Sequence, residues 1–326
     1  NEDTMKEKKI VSYGAWKSPV TTDLIVAGTI NLGQIVMDGD ALYWPEGRPA
    51  EGGRNVIVRW TADGGGEDMT PIPFNVRTRV HEYGGGAFTV RDGVMTFSNF
   101  ADQRLYQQQP GGEPAPVTPE EKLRFADGVF TAEGRFICVR EDHRVEGQEP
   151  VNAIVSLALD GKDPGSVLVS GNDFYATPRI SLDGKRLAWL TWNHPDMPWD
   201  GTELWVGEFT AEGALVNQQL LAGGREESIF QPEWSPDGVL HFVSDRSGWW
   251  NLYRQRDGGD EALYPMEAEF GLPQWVFGRR TYAFTGENSI LCRIGQNGSS
   301  SLALLDTKHG SLAPLELPFT AVDGVH

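Results

Sequence analysis

The residues of this chain best suited to chemistry lie in a few short polar segments. His81-Glu82-Tyr83 stands just ahead of Gly84-Gly85-Gly86, within the run Arg77 to Gly86. Three successive glycines let a backbone pass very close to a neighbouring surface. Further on come Arg140-Glu141-Asp142-His143-Arg144, the stretch Asn193 to Asp200, and Asp245-Arg246-Ser247-Gly248-Trp249-Trp250. His81, Glu82, Tyr83, Glu141, His143, Asp200, Arg246 and Trp249 are therefore the candidates for substrate binding or gating. Glu82 and Glu141 are the carboxylates suited to hold a substrate ammonium. Each segment also has a structural reading. Asp245-Arg246 can be an ion pair pinning its own loop, Trp249 and Trp250 a packing anchor plus one surface aromatic, and the histidines neutral surface groups.

Complete catalytic machinery is missing. No G-x-S-x-G occurs, so no nucleophile elbow of the hydrolase type is present. No H-E-x-x-H, C-x-x-C or paired-His spacing supports a metal. The Gly84–Gly86 run lacks the spacing and the following helix of a dinucleotide site. The sequence thus predicts no catalytic residue, no metal and no cofactor within these 326 residues.

The elements that must position the polar segments repeat along the chain. A tight Gly-containing turn recurs at Asp38-Gly39-Asp40, Arg91-Asp92-Gly93, Ala132 to Arg135, Leu182 to Lys185, Pro236-Asp237-Gly238 and, more loosely, Gly278-Arg279-Arg280. A β-prone run follows each turn: Ala41 to Trp44, Val94 to Ser98, Arg135 to Val139, Arg186 to Leu190, Leu240 to Ser244 and Thr281 to Thr285. A loop and two further runs complete each unit, a spacing that suits the four strands of a propeller blade. The fold expected is all-β, a β-propeller of four-stranded blades with six recognisable. Ala321 to His326 reads as the start of a seventh. In such a blade the second-to-third loops and the blade-to-blade connections share one face. Here those are the long, polar ones, so that face should carry function.

Residues 1–33 are expected to form an N-terminal arm with a short helix, Ser18 as N-cap and Pro19 at the first helical position. Residues 34–326 are expected to form the propeller, cut before its last blade is complete. An unclosed ring would leave two blade faces wet. At roughly 400 Å² each and about 25 cal/mol per Å², that is about 10 kcal/mol a face, comparable with the stability of a whole domain. Continuation of the native chain past His326 is the expectation. The formal net charge of -18 argues against nucleic acid and against anionic membrane surfaces. No run of about 18 apolar residues is present. Cys138 and Cys292 lie in apolar runs and read as reduced core thiols, Cys138 in a second strand and Cys292 in a second-to-third loop region. A cytoplasmic location is expected.

Three strings carry a resemblance: Ser12-Tyr13-Gly14-Ala15-Trp16-Lys17-Ser18-Pro19, Arg79 to Gly86, and Gln231-Pro232-Glu233-Trp234-Ser235-Pro236-Asp237-Gly238, supported by the run Asp245 to Tyr253. Together they resemble the propeller half of prolyl-oligopeptidase-family serine peptidases, nearest the bacterial dipeptidyl-aminopeptidase and acylaminoacyl-peptidase branch. The resemblance implies a seven-bladed propeller over an α/β-hydrolase domain of the same polypeptide, gating access for small peptides. It carries no triad residue onto this chain. The acidic motif that holds substrate N-termini in the dipeptidyl-peptidase branch is matched only weakly, by Glu226-Glu227. The expected function is a substrate-gating propeller of a cytoplasmic serine exopeptidase, whose acidic channel would concentrate cationic peptide N-termini. The alternative is a stand-alone propeller that binds a protein or ligand.

Overall fold

The computed structural model describes residues 10–326. Within them the chain forms six antiparallel sheets in sequence, one per blade, around a common axis. The innermost strands of blades 2 to 6 are Phe88–Arg91, Leu123–Phe130, Phe174–Ile180, Ile229–Trp234 and Tyr282–Gly286. Blade 1 has a broken inner strand, Asn31–Leu32 and Val36–Asp38, both paired to Ala41–Arg48. The break falls opposite Pro45, which has no N–H to give; Gly33 N–H still donates to the Pro45 carbonyl at 2.9 Å.

The expected tight turns join first to second strands in blades 1 to 5, and alternation along each strand buries one face of a blade on the next. Ala41, Tyr43 and Ile57 of blade 1 pack on Phe88, Val90 and Phe97 of blade 2. Leu105 and Val117 of blade 2 pack on Phe125, Phe136 and Cys138 of blade 3. One large cluster spans blades 3 to 5, and another joins blade 5 to blade 6. Among the described residues no buried cluster joins blade 6 to blade 1. Leu32 and Met37 of blade 1 and Leu317 and Phe319 after blade 6 remain largely exposed.

Blade 6 differs from expectation by one strand. Thr281 to Thr285 falls largely on the first strand, Tyr282–Gly286, and the second is Ser289–Gln296, so Cys292 lies in a strand and not in a loop region. The hairpin that continues from it turns on Asn297-Gly298, both at positive φ (51° and 79°), a combination typical of two-residue hairpins. Residues 321–326 form no strand. Their polar backbone groups go elsewhere, Val325 N–H to the Arg280 carbonyl at 3.0 Å and Val322 N–H to Ser300 Oγ at 2.7 Å. The arm's helix runs Thr22–Val26, and its N-cap is Thr21, whose hydroxyl accepts from Leu24 N–H at 3.1 Å. Ser18 instead accepts from Val20 N–H, three residues too early to cap it.

Cys138 and Cys292 are unpaired and buried in separate blades. Burial pushes both thiols up, Cys292 to about 12, so thiolate is scarce at neutral pH. Native protein is expected to resist iodoacetamide at pH 8 and to take up two labels once denatured. A disulfide found by non-reducing mass spectrometry would contradict this placement.

Candidate functional site

The blade 1 to blade 2 connection does not skirt the ring; it turns inward and fills the channel on the loop-bearing face. Its three glycines explain how. All have positive φ, and a Cβ at Gly85 would run into the backbone of Phe277, while one at Gly86 would crowd Asp127. Gly85 bridges Phe277 in parallel fashion, and the Gly86 carbonyl accepts from Asp127 N–H at 2.8 Å. The connection therefore reaches the segment leading into blade 6 and the inner strand of blade 3.

His81 and Glu82, at its tip, also take left-handed backbone conformations (φ 53° and 61°). That is uncommon for residues with a Cβ and persists only where surroundings enforce it. The enforcement is visible. Glu141, at the end of blade 3's second strand, accepts His81 N–H at 2.6 Å with Oε1, while its Oε2 meets His143 Nε2 at 2.9 Å and Arg124 Nη1 at 3.3 Å. Arg124 Nη1 also donates to the Arg79 carbonyl at 3.0 Å and to Glu82 at 2.9 Å. The His81 ring is enclosed by Phe174, Trp192 and Phe277, at centroid distances of 5.1, 5.5 and 4.8 Å. Burial lowers its pKa to about 3, against a smaller opposing effect of Asn152.

The structure thus brings His81, Glu82, Glu141 and His143 together, the histidines through Glu141 and Glu82 through Arg124, a residue the sequence reading passed over. Both oxygens of Glu141 are engaged within the chain, whereas Glu82 is largely exposed. Tyr83 is exposed beside Trp275, centroids 5.8 Å apart, and Trp275 contacts Trp199 at 4.3 Å. Neighbouring Asp200 accepts Met197 N–H at 2.9 Å and so closes its own loop. Arg246 and Trp249 stand apart on blade 5. Arg246 pairs with Glu227 at 2.8 Å and Asp260 at 3.0 Å, over the Tyr253 ring; the Trp249 carbonyl accepts from Ser247 Oγ at 3.0 Å. Trp275 could have been found as the lone tryptophan of the long blade 5 to blade 6 connection, but that stretch was hidden by the strand shift in blade 6.

Below the plug, inner strands contribute a row of charges. Blades 3, 4 and 5 each bulge at the same place, with Asp127, Thr177 and Gln231 at positive φ. Asp127 accepts Thr177 N–H at 2.7 Å, and Gln231 accepts Thr281 N–H at 2.6 Å, so two of the three bulge residues grip the chain of the next blade. Arg179 lies between Asp127 (3.5 Å) and Glu233 (3.0 Å), and Glu233 also meets Arg280 at 3.2 Å. Burial opposes charge on Glu233, yet the two arginines outweigh it and hold the carboxyl below its usual range.

A cavity of about 540 Å³ opens beside the plug, between blade 1, Tyr83 to Phe88 and the segment Val276 to Arg280. The expected acidic channel is not found in it: Arg77, Arg279 and Arg280 line it against one acid, Asp323, beside His326, whose pKa burial lowers to about 4. Among the described residues, no group of three or more His, Cys, Asp or Glu is placed to hold a metal ion. No described helix is long and apolar enough to cross a membrane.

Sheet order and inner-strand geometry define an all-β propeller of six four-stranded blades, and the ring matches a propeller domain of the prolyl-oligopeptidase family. The particular likeness is to puromycin-hydrolysing enzymes. A puromycin hydrolase is 37% identical with a TM-score of 0.86, and 96% of this chain covers 51% of that one. A puromycin-hydrolyzing peptidase of Mycobacterium tuberculosis is 35% identical with a TM-score of 0.86 over the same shares, 96% and 51%. The chain therefore spans about half the length of these relatives. Prolyl oligopeptidase B of Galerina marginata, at 12% identity and a TM-score of 0.63 over 90% of this chain and 45% of that one, shares the fold. No family model and no curated protein matches the chain.

Proposed function

We propose that this chain is the substrate-gating propeller of a cytoplasmic serine exopeptidase, working with an α/β-hydrolase domain of the same polypeptide on small peptides and peptide-like amides of the puromycin kind. The observation that carries the reading is the 35% to 37% identity to puromycin-hydrolysing enzymes over nearly the whole chain. The plugged channel supports it, since a ring closed by Val80, His81 and Phe277 excludes folded protein and leaves the small cavity at its side as the space for a ligand. Buried, unpaired thiols favour a reducing compartment. The exposed apolar side chains of Leu32 and Met37 in blade 1, and of Leu317 and Phe319 after blade 6, favour a covering partner at the gap between those blades.

The chain alone is expected to give only background hydrolysis of aminoacyl and dipeptidyl chromogenic substrates. Joined to a hydrolase domain from its own reading frame, it should allow cleavage of tripeptides and exclude casein, and its removal should admit casein. Equal casein cleavage with and without the propeller would end the gating reading.

A further inference from the structure

We propose that the cavity beside the plug is an anion site that takes the C-terminal carboxylate of a peptide ligand. The chain as a whole is strongly acidic, so a basic cavity is not a sample of its surface. The cations there are unequally committed. The Arg77 guanidinium stacks on Phe100 at 4.9 Å. Arg280 gives Nη2 to Glu233, but its buried Nε has no hydrogen-bond partner. Arg279 is exposed and makes no ion pair among the described residues. A buried N–H left unmatched costs the fold, and an incoming anion relieves that cost. A planar carboxylate suits guanidinium groups, because charge-assisted bonds to the fork are short and directional.

The walls suit a small ligand. Gly85, Gly86 and Gly278 present backbone without side chains, and the volume lies within the ~300–1,000 Å³ range of ligand sites. Tyr83, backed by Trp275, stands on the rim and offers a ring face to the last side chain of a peptide. That the anion belongs to a peptide rests on the peptidase reading; that the cavity takes an anion does not.

The test uses the full polypeptide, this chain together with its hydrolase domain, with calorimetry and tryptophan fluorescence as readouts. The probes are acetyl-Gly-Gly-Phe as free acid, the same peptide as C-terminal amide, and acetyl-Asp-Gly-Phe amide. The free acid is expected to bind at least about tenfold more tightly than either amide. Arg279→Gln should remove most of that preference. Arg225→Gln, which alters an exposed pair with Asp196 outside the cavity, should keep it. Equal affinity for acid and amide would overturn the proposal, as would a preference that survives Arg279→Gln. If the Asp-containing amide matched the free acid, the C-terminal assignment would fall. Phenylacetate binding as tightly as the tripeptide acid would remove the peptide and leave a plain anion site.

Discussion

Replacing Glu233 by Gln is expected to cost the fold about 3–5 kcal/mol, the usual loss when one partner is removed from a buried ion pair. Glu233 stands between two arginines from neighbouring blades, and one oxygen, Oε1, meets both Arg179 Nε and Arg280 Nη2. An amide oxygen could still accept these bonds but would leave Arg179 balanced only by Asp127 and Arg280 by nothing within reach in this row. The measurement is the urea midpoint at pH 7, with Asp127→Asn and the double variant completing a cycle. Because the two carboxylates share Arg179, the double variant leaves that cation with no counter-charge and should lose more than the sum of the singles. A loss below about 1 kcal/mol for Glu233→Gln would show that water already screens the row, and the energetic account above would fail. The pH sign follows from the depressed carboxyl: its contribution is present above the ordinary glutamate pKa and fades as pH falls through the lower folded value.

The second large effect belongs to His81. Its ring stays neutral in the fold down to about pH 3, whereas an unfolded histidine protonates near 6.5. Between those values the unfolded chain binds the extra proton. Stability is therefore full above about pH 6.5 and falls as the pH drops, by about 2–4 kcal/mol between pH 7 and 4 from this group. Glu141, Glu82, Arg124 and His143 are the charged and titratable neighbours around the plug tip. His241 and His326, lowered to about 4 mainly by burial, add losses in the same direction. The readout is consequently a difference: His81→Asn, chosen because Asn tolerates the left-handed backbone, should lose ring packing at every pH yet show a flatter decline from pH 7 to 4. Parallel pH curves for the two proteins would mean that His81 titrates normally and that its enclosure is open to water.

The repeat was readable because a propeller writes its architecture locally. A Gly turn followed by alternating apolar residues needs only neighbours along the chain, and five of six blades fell where the Asp-Gly and similar turns put them. Blade 6 was misread because its hairpins turn on Glu287-Asn288 and Asn297-Gly298, so the Gly278 segment stood in for a turn it does not make. Gly278 instead answers to its left-handed backbone, φ 77°, with the end of the Gln34 side chain lying where its Cβ would be.

Of the candidate site, the sequence singled out His81, Glu82, Tyr83, Glu141, His143, Asp200, Arg246 and Trp249; His81, Glu82, Glu141 and His143 gather in one cluster, whereas Arg246 and Trp249 stand apart on blade 5. What only the tertiary structure decided is who pairs with whom. Arg124, Arg179, Glu233 and Arg280 come from different blades, and nothing in their local sequence marks them as partners. Nor did the overall acidic charge foretell a basic cavity. Net charge is a sum over the whole surface, whereas a cavity's field depends on the few side chains that closure of the ring brings within hydrogen-bond reach.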